Sequence, residues 1–212
     1  GNIYVGSNRI PEPPSSEFTT STTFNKIVVI DATTGYTSYV NITGVQPFQP
    51  GGLAFDTLGN LYVTSDSSSF ITAEWGLSYY AVIKLVFSDF QTAVSTNFVL
   101  SDQYAENLNS LVLDNNNTGF MYTSGLWAIS RIELATGTIT PINTTQDWSG
   151  GPQNLAIKPT TNTPYYTSFD QSGFWPNEII TPFIGYLDGA GAAQRVTLTG
   201  WMADAANNVA FI

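Results

Sequence analysis

The most constraining feature of this chain is a hairpin that recurs. Gly51 to Ser65 reads GGLAFDTLGNLYVTS, with an apolar run at Leu53, Ala54 and Phe55 and a polar turn from Asp56 to Asn60. In the run that follows, Leu61 and Val63 alternate with Tyr62 and Thr64. Alternation of period two in short runs on either side of an Asp- and Gly-containing turn specifies two paired strands. Weaker copies run from Asn109 to Ser124 (NSLVLDNNNTGFMYTS) and from Gln153 to Ser168 (QNLAIKPTTNTPYYTS). A fourth copy is divided. Its first half, NNVAFI (Asn207 to Ile212), stands at one end of the sequence and its second half, GNIYVGS (Gly1 to Ser7), at the other.

Aligning Leu53, Leu111, Leu155 and Val209 gives spacings of 58, 44 and 54 residues. A period near 50 that holds several short strands is the signature of propeller blades. Each hairpin is followed by a third strand: KIVVID (Lys26 to Asp31), AVIKLVF (Ala81 to Phe87), AISRIEL (Ala128 to Leu134) and FIGYLD (Phe183 to Asp188). Fourth strands begin at Tyr36 (YTSYVNI), Thr92, Thr138 and Gln194. The turns Asp31-Ala-Thr-Thr-Gly35 and Glu133-Leu-Ala-Thr-Gly137 align residue for residue, with Gly expected at a positive φ. No segment carries a period of 3.6, so helix content should be very low.

These units predict an all-β, four-bladed β-propeller in one domain spanning residues 1–212. Its blades lie at about 1–44 plus 206–212, 51–100, 108–145 and 152–200. The divided unit predicts that one blade is completed from both ends of the chain, with Ile3, Tyr4 and Val5 pairing with Val209, Ala210 and Phe211. Such pairing removes two open sheet edges, either within one chain or by exchange between neighbouring chains.

GGLAFDTLGNLYVTS resembles the blade signature of the gluconolactonase/senescence-marker and NHL-repeat propellers, whose hairpins read approximately P-N-G-L-A-F-D-x-x-G-N-L-Y-V. The resemblance covers all four units, with one strong copy, and speaks for fold more than for activity. Those families usually have six blades, whereas this sequence supplies four. The resemblance implies a divalent-metal site at the channel mouth, built from a Glu, an Asn and an Asp near the starts of first strands. Asn154 and Asn208 occupy similar positions, with Asp204 and Asp147 nearby, and no Glu matches the N-terminal ligand.

Composition narrows the chemistry. With no Cys and no His, disulfide scaffolds, thiol nucleophiles, Cys/His zinc sites and Ser-His-Asp triads are excluded. Six basic against sixteen acidic residues give a net charge of −10, which opposes nucleic acid and anionic membranes as partners. No run is long and apolar enough to predict a membrane span. With no initiator Met or leader-like run, the sequence is expected to represent a mature or trimmed form. Sequons at Asn41, Asn116 and Asn143 have a plain reading as triplets that an Asn- and Thr-rich chain yields by chance. Their functional reading is as the glycan sites of a secreted glycoprotein, towards which the Ser- and Thr-rich, acidic composition tilts.

In a propeller the loops between second and third strands emerge on the same face as those linking one blade to the next. The former are long at Ile10 to Asn25, Asp66 to Tyr79 and Phe169 to Pro182. Together these loops hold Trp75, Trp148, Trp175 and Trp201, and ten of the sixteen acids, among them Asp147, Asp170 and Glu178. Flat aromatics beside carboxylates suit a protein partner or the stacking of sugar rings. Each Trp taken singly also has the plainer reading of packing beneath its own loop. Lys84 and Arg131 fall at matching positions in third strands, as salt-bridge partners or solvated edge charges.

The expected role is therefore a non-catalytic, extracellular structural or adhesive module. It would bind itself, another protein or a glycan through its terminal strands and the aromatic, acidic loop face. No cofactor is expected, and Ca²⁺ is the ion that its hard oxygen donors would suit. The alternatives are a metal-dependent lactonase-like hydrolase and a carbohydrate-binding lectin.

Overall fold

The structure is a computed structural model that describes residues 1–7, 26–44, 50–67, 79–101, 110–114, 119–125, 128–143, 152, 154–172 and 179–197. Every regular element among them is a β-strand. They form four sheets, the blades of a four-bladed β-propeller. The chain divides into two compact units, Gly1–Asp102 and Gln103–Ile212, each holding two sheets.

In the first unit, β1 (Ile3–Ser7), β2 (Lys26–Ile30) and β3 (Thr37–Tyr39) form an antiparallel sheet in that order. Ile3 lies opposite Ile30, Val5 opposite Val28, and Val28 opposite Tyr39. The second sheet contains β4 (Asn41–Gly44), β5 (Pro50–Phe55), β6 (Leu61–Ser67), β7 (Tyr79–Asp89) and β8 (Thr92–Ser101). Its spatial order is β4-β8-β7-β6-β5. The strand expected over YTSYVNI is not continuous. It breaks at buried Val40, whose amide donates to the Ile27 carbonyl at 2.9 Å, while the next amide, Asn41, donates to the Gln91 carbonyl at 2.6 Å. One blade's outer strand thus crosses to its neighbour, where β4 runs parallel to β8 with Asn41 opposite Thr92.

This crossing helps seal the core of the first unit. Ile27 and Val29 from the first sheet pack with Leu61, Val63, Ile83 and Leu85 from the second, and Val40 and Ile42 join them. Tyr4 reinforces the seam. Its ring meets Phe55 and Phe87 edge-on at 5.0 and 5.5 Å, and its hydroxyl donates to the Phe90 carbonyl at 3.0 Å.

The second unit repeats the pattern. One sheet has the order β12-β11-β10-β9, from β9 (Ser110–Leu113), β10 (Phe120–Ser124), β11 (Ala128–Glu133) and β12 (Ile139–Asn143). The other has the order β13-β14-β15-β16, from β13 (Leu155–Lys158), β14 (Thr163–Ser172), β15 (Ile179–Leu187) and β16 (Ala193–Thr197). Leu53 faces Val63, Leu111 faces Thr123, and Leu155 faces Tyr166, so the aligned leucines are structural equivalents. Val209 lies outside the described residues. Ile129 packs between the sheets of this unit against Leu155, Tyr166, Phe183 and Leu187, flanked by Val112, Tyr122 and Ile142.

The two aligned turns close in the same way. The Gly35 and Gly137 amides donate to the carbonyls of Asp31 and Glu133 at 2.7 and 2.8 Å, and both glycines have φ of 72°. The expected long loops are shorter than the sequence suggested, because their flanks pair. Asp66 and Ser67 continue β6 opposite Tyr80 and Tyr79, and Phe169 to Ser172 continue β14 opposite Pro182 to Ile179.

Candidate interaction surface

The register of the four sheets makes Ile3 and Val5 the equivalents of Leu61 and Val63, of Met121 and Thr123, and of Pro164 and Tyr166. Leu61, Val63, Met121 and Thr123 are fully buried and Tyr166 is 1% exposed. Ile3, by contrast, is 54% exposed and Val5 43%. Direct cross-strand partners share a face, so Val28, Ile30 and Tyr39 stand on the same side as Ile3 and Val5. Tyr39 is exposed, and the Lys26 ammonium lies 4.5 Å from its ring centroid. The opposite face of this sheet carries Tyr4, Ile27 and Val29 into the core. Among the described residues β1 pairs only with β2. Among the described residues the first sheet therefore presents an apolar face, and β1 stands at its edge.

The carboxylates whose side chains are described serve the fold. Asp31 accepts the Thr33 and Thr34 amides at 2.8 and 3.1 Å, and those two bonds hold its carboxyl below the usual range. Asp56 accepts the Leu58 and Asn60 amides at 2.9 and 2.8 Å, and Asp89 accepts the Gln91 amide at 2.8 Å. Asp188 accepts the Ala190 and Ala192 amides at 3.0 and 2.9 Å, and its carboxyl is likewise lowered, first by the Ala192 amide. Each is an Asx turn, in which a short carboxylate satisfies amides that the reversing backbone leaves unpaired. Glu133 accepts the Thr136 hydroxyl at 2.6 Å, Asp114 accepts the Asn162 side-chain amide, and Asp170 pairs with Arg195. Asp170 is a strand residue, not a loop acid.

Of the residues expected to bind a ligand, Trp75, Trp148, Trp175, Trp201, Asp147 and Glu178 lie outside the described residues. So do Asp204, Asn208, Val209, Ala210, Phe211 and Asn116. Asn143 ends β12, with its side chain outside the described set. Asn41 opens β4 and is exposed. Asn154 precedes β13, half-buried, and its carbonyl accepts the Thr167 amide at 3.1 Å, which extends the β13–β14 ladder. Among the described residues no group of three or more acids is placed to hold a metal ion.

Two expectations for basic residues are corrected. Lys84 and Arg131 were read as ion-pair partners or solvated charges, but their cations lie over aromatic rings. The Lys84 ammonium is 5.6 Å from the Tyr62 centroid and the Arg131 guanidinium 4.8 Å from that of Phe120. Sequence alignment placed these cations at matching positions but carried no signal for their aromatic neighbours. The exposed Ile3 and Val5 were also missed as a surface, because alternation alone does not say which sheet face is covered.

No family model matches the sequence, and no curated protein matches it. Solved structures do resemble it. A crystal structure of a protein from Lactobacillus plantarum aligns with a TM-score of 0.50 at 13% identity, over 92% of this chain and 66% of that one. An X-ray structure of a protein assigned as a gluconolactonase aligns with a TM-score of 0.47 at 16% identity, over 67% of this chain and 42% of that one. A chain of the nidogen/laminin complex aligns with a TM-score of 0.49 at 13% identity, over 78% of this chain and 68% of that one. The chain thus spans less than half of the gluconolactonase-assigned structure and about two thirds of the other two. At 13% identity the likeness to the Lactobacillus plantarum protein is one of fold.

Proposed function

We propose that this chain is a non-catalytic, extracellular structural or adhesive β-propeller glycoprotein that joins partners or copies of itself. The observation that carries the reading is the face formed by Ile3, Val5 and Tyr39, large apolar side chains exposed together on one sheet. A contiguous apolar patch of this kind on a small domain marks a contact surface. The use of the described carboxylates also supports the reading. A hydrolase needs acids free to ligate a metal or move protons, and those from Asp31 to Asp188 are engaged in turns and pairs. The exposed Asn41, at the start of an outermost strand, is the sequon whose side chain is described, and a glycan there would project from the sheet edge.

The test is a melting curve with and without Ca²⁺ alongside a lactone-hydrolysis assay and a glycan array. The proposal expects an unchanged Tm, no turnover and no glycan binding. A rise in Tm with Ca²⁺ together with lactone turnover would replace it with the hydrolase reading. Glycan binding lost on Trp175→Ala would replace it with the lectin reading.

A further inference from the structure

We propose that Tyr165 and Tyr186 form an oxidative modification site, at which a peroxide-fed one-electron oxidant joins the two phenol rings into a dityrosine within one chain. The inference goes beyond the binding role proposed above and does not depend on it.

The pairing starts from register. Tyr165 and Tyr186 are direct partners across β14 and β15, inside the second unit, so their side chains rise from the same side of one sheet. Their ring centroids lie 5.5 Å apart with 29° between the planes, a stacked pair. Both residues are half-buried, within reach of a small diffusible oxidant. This geometry suits radical coupling. A tyrosyl radical carries unpaired density on the ring carbons beside the hydroxyl, in orbitals perpendicular to the ring. Stacked rings present those orbitals to each other, and the broad χ2 well of tyrosine lets the rings turn the rest of the way.

Other tyrosines among the described residues are placed differently. Tyr4 meets Phe55 and Phe87, Tyr62 meets Phe98, and Tyr166 meets Phe183, all edge-on. Phenylalanine has no hydroxyl hydrogen to give up, and an edge-on ring turns its π orbitals away. Tyr62 and Tyr166 are also buried. The sequence contains no Cys, so no thiol in it competes for the radicals.

The chemistry balances. Each phenol loses a hydrogen atom, as a proton and an electron, to the oxidant. The two radicals form one carbon–carbon bond between ring positions ortho to the hydroxyls. The hydrogens on those carbons then move to the oxygens and restore the aromatic rings. One hydrogen peroxide takes up the two hydrogen atoms lost and leaves as two waters. The new bond ties β14 to β15 and constrains the unfolded chain as a disulfide does.

Treating the dilute, folded chain with hydrogen peroxide and a haem peroxidase tests this, beside Tyr165→Phe, Tyr186→Phe and Tyr36→Phe. Phenylalanine keeps the ring, and circular dichroism checks that each variant folds. Proteolysis at Glu178, which separates Tyr165 from Tyr186, followed by mass spectrometry locates the link. The expected result is dityrosine fluorescence from a chain that still runs as a monomer, with the peptides of Tyr165 and Tyr186 joined. Either pair variant should lose the joined peptide and most of the fluorescence. Tyr36→Phe, at an exposed position of the first unit, should keep both. A folded parent without dityrosine, under conditions that couple free tyrosine, overturns the proposal. So does a link that survives either pair variant, joins other tyrosines or separate chains, or forms as readily in urea.

Discussion

Gly185 lies beneath the ring of Tyr166, its direct partner across β14 and β15. A Cβ at position 185 would fall inside that ring. The ring can therefore lie flat across the sheet and fill the space against Phe183, 6.3 Å away edge-on, where Leu155 and Ile129 also pack. One missing methyl group sets the shape of the second unit's core.

Gly185→Ala is expected to cost about 1–3 kcal/mol, the usual penalty for overfilling a packed core. Urea unfolding would read it as a lower midpoint at unchanged slope. Adding Tyr166→Leu to Gly185→Ala should recover part of that loss, because the smaller side chain vacates the site. An additive double variant would show that the two residues do not share the space.

The Tyr166 phenol is pushed up to about 12 by burial, and Tyr62 likewise to about 12 by burial and then by the charge of Asp56. A group whose proton is held more tightly in the folded state stabilises fully below its unfolded value of about 10. That stability is lost as pH rises through the folded value. Alkaline unfolding between about pH 10 and 12 is the expected outcome, followed by tyrosinate absorbance and circular dichroism together. Tyr166→Phe should shift the transition to higher pH.

The turn carboxylates predict the opposite limb. Asp31 and Asp188 are held below the ordinary range, first by the Thr33 and Ala192 amides respectively. Their stabilisation is present above the unfolded value of about 3.9 and is lost as pH falls through the folded values. Asp188→Asn should flatten the acid limb of a Tm-against-pH profile below about pH 4. A profile identical to that of the parent would mean that the turn bonds do not contribute.

Ile42 tests the strand that changes sheets. It sits on β4, at the edge of the second sheet, yet it is buried in the core that includes Ile27 and Leu85. Ile42→Ala should cost about 2–5 kcal/mol, as for a core position. Ordinary edge-strand behaviour, with a loss under about 0.5 kcal/mol, would refute the crossing.

Much of this architecture was legible in residues. The hairpin at Gly51 to Ser65 announced its strands through alternation, and Gly35 and Gly137 announced their turns, because only glycine takes a φ of 72° without cost. The leucines at 53, 111 and 155 marked one position in three sheets because local pattern and register agree there. The break at Val40 was not legible. A run such as YTSYVNI pairs equally well as one strand or two, and the choice is made by the free edge of β8, a partner about 50 residues away. The open face was hidden for a related reason. Ile3 and Val5 have the same residue types as Leu61 and Val63, and only packing separates a covered face from an exposed one. The residues expected to form the aromatic loop face lie outside the described set, apart from Asp66, whose backbone continues β6, and Asp170, which pairs with Arg195.

Hydroxyl-radical footprinting of side chains in dilute protein tests the central claim most directly. If the face of Ile3 and Val5 is a contact surface, both side chains should be oxidised readily, while their buried equivalents Leu61 and Val63 stay protected. Protection of Ile3 and Val5 equal to that of Leu61 and Val63 would contradict the account.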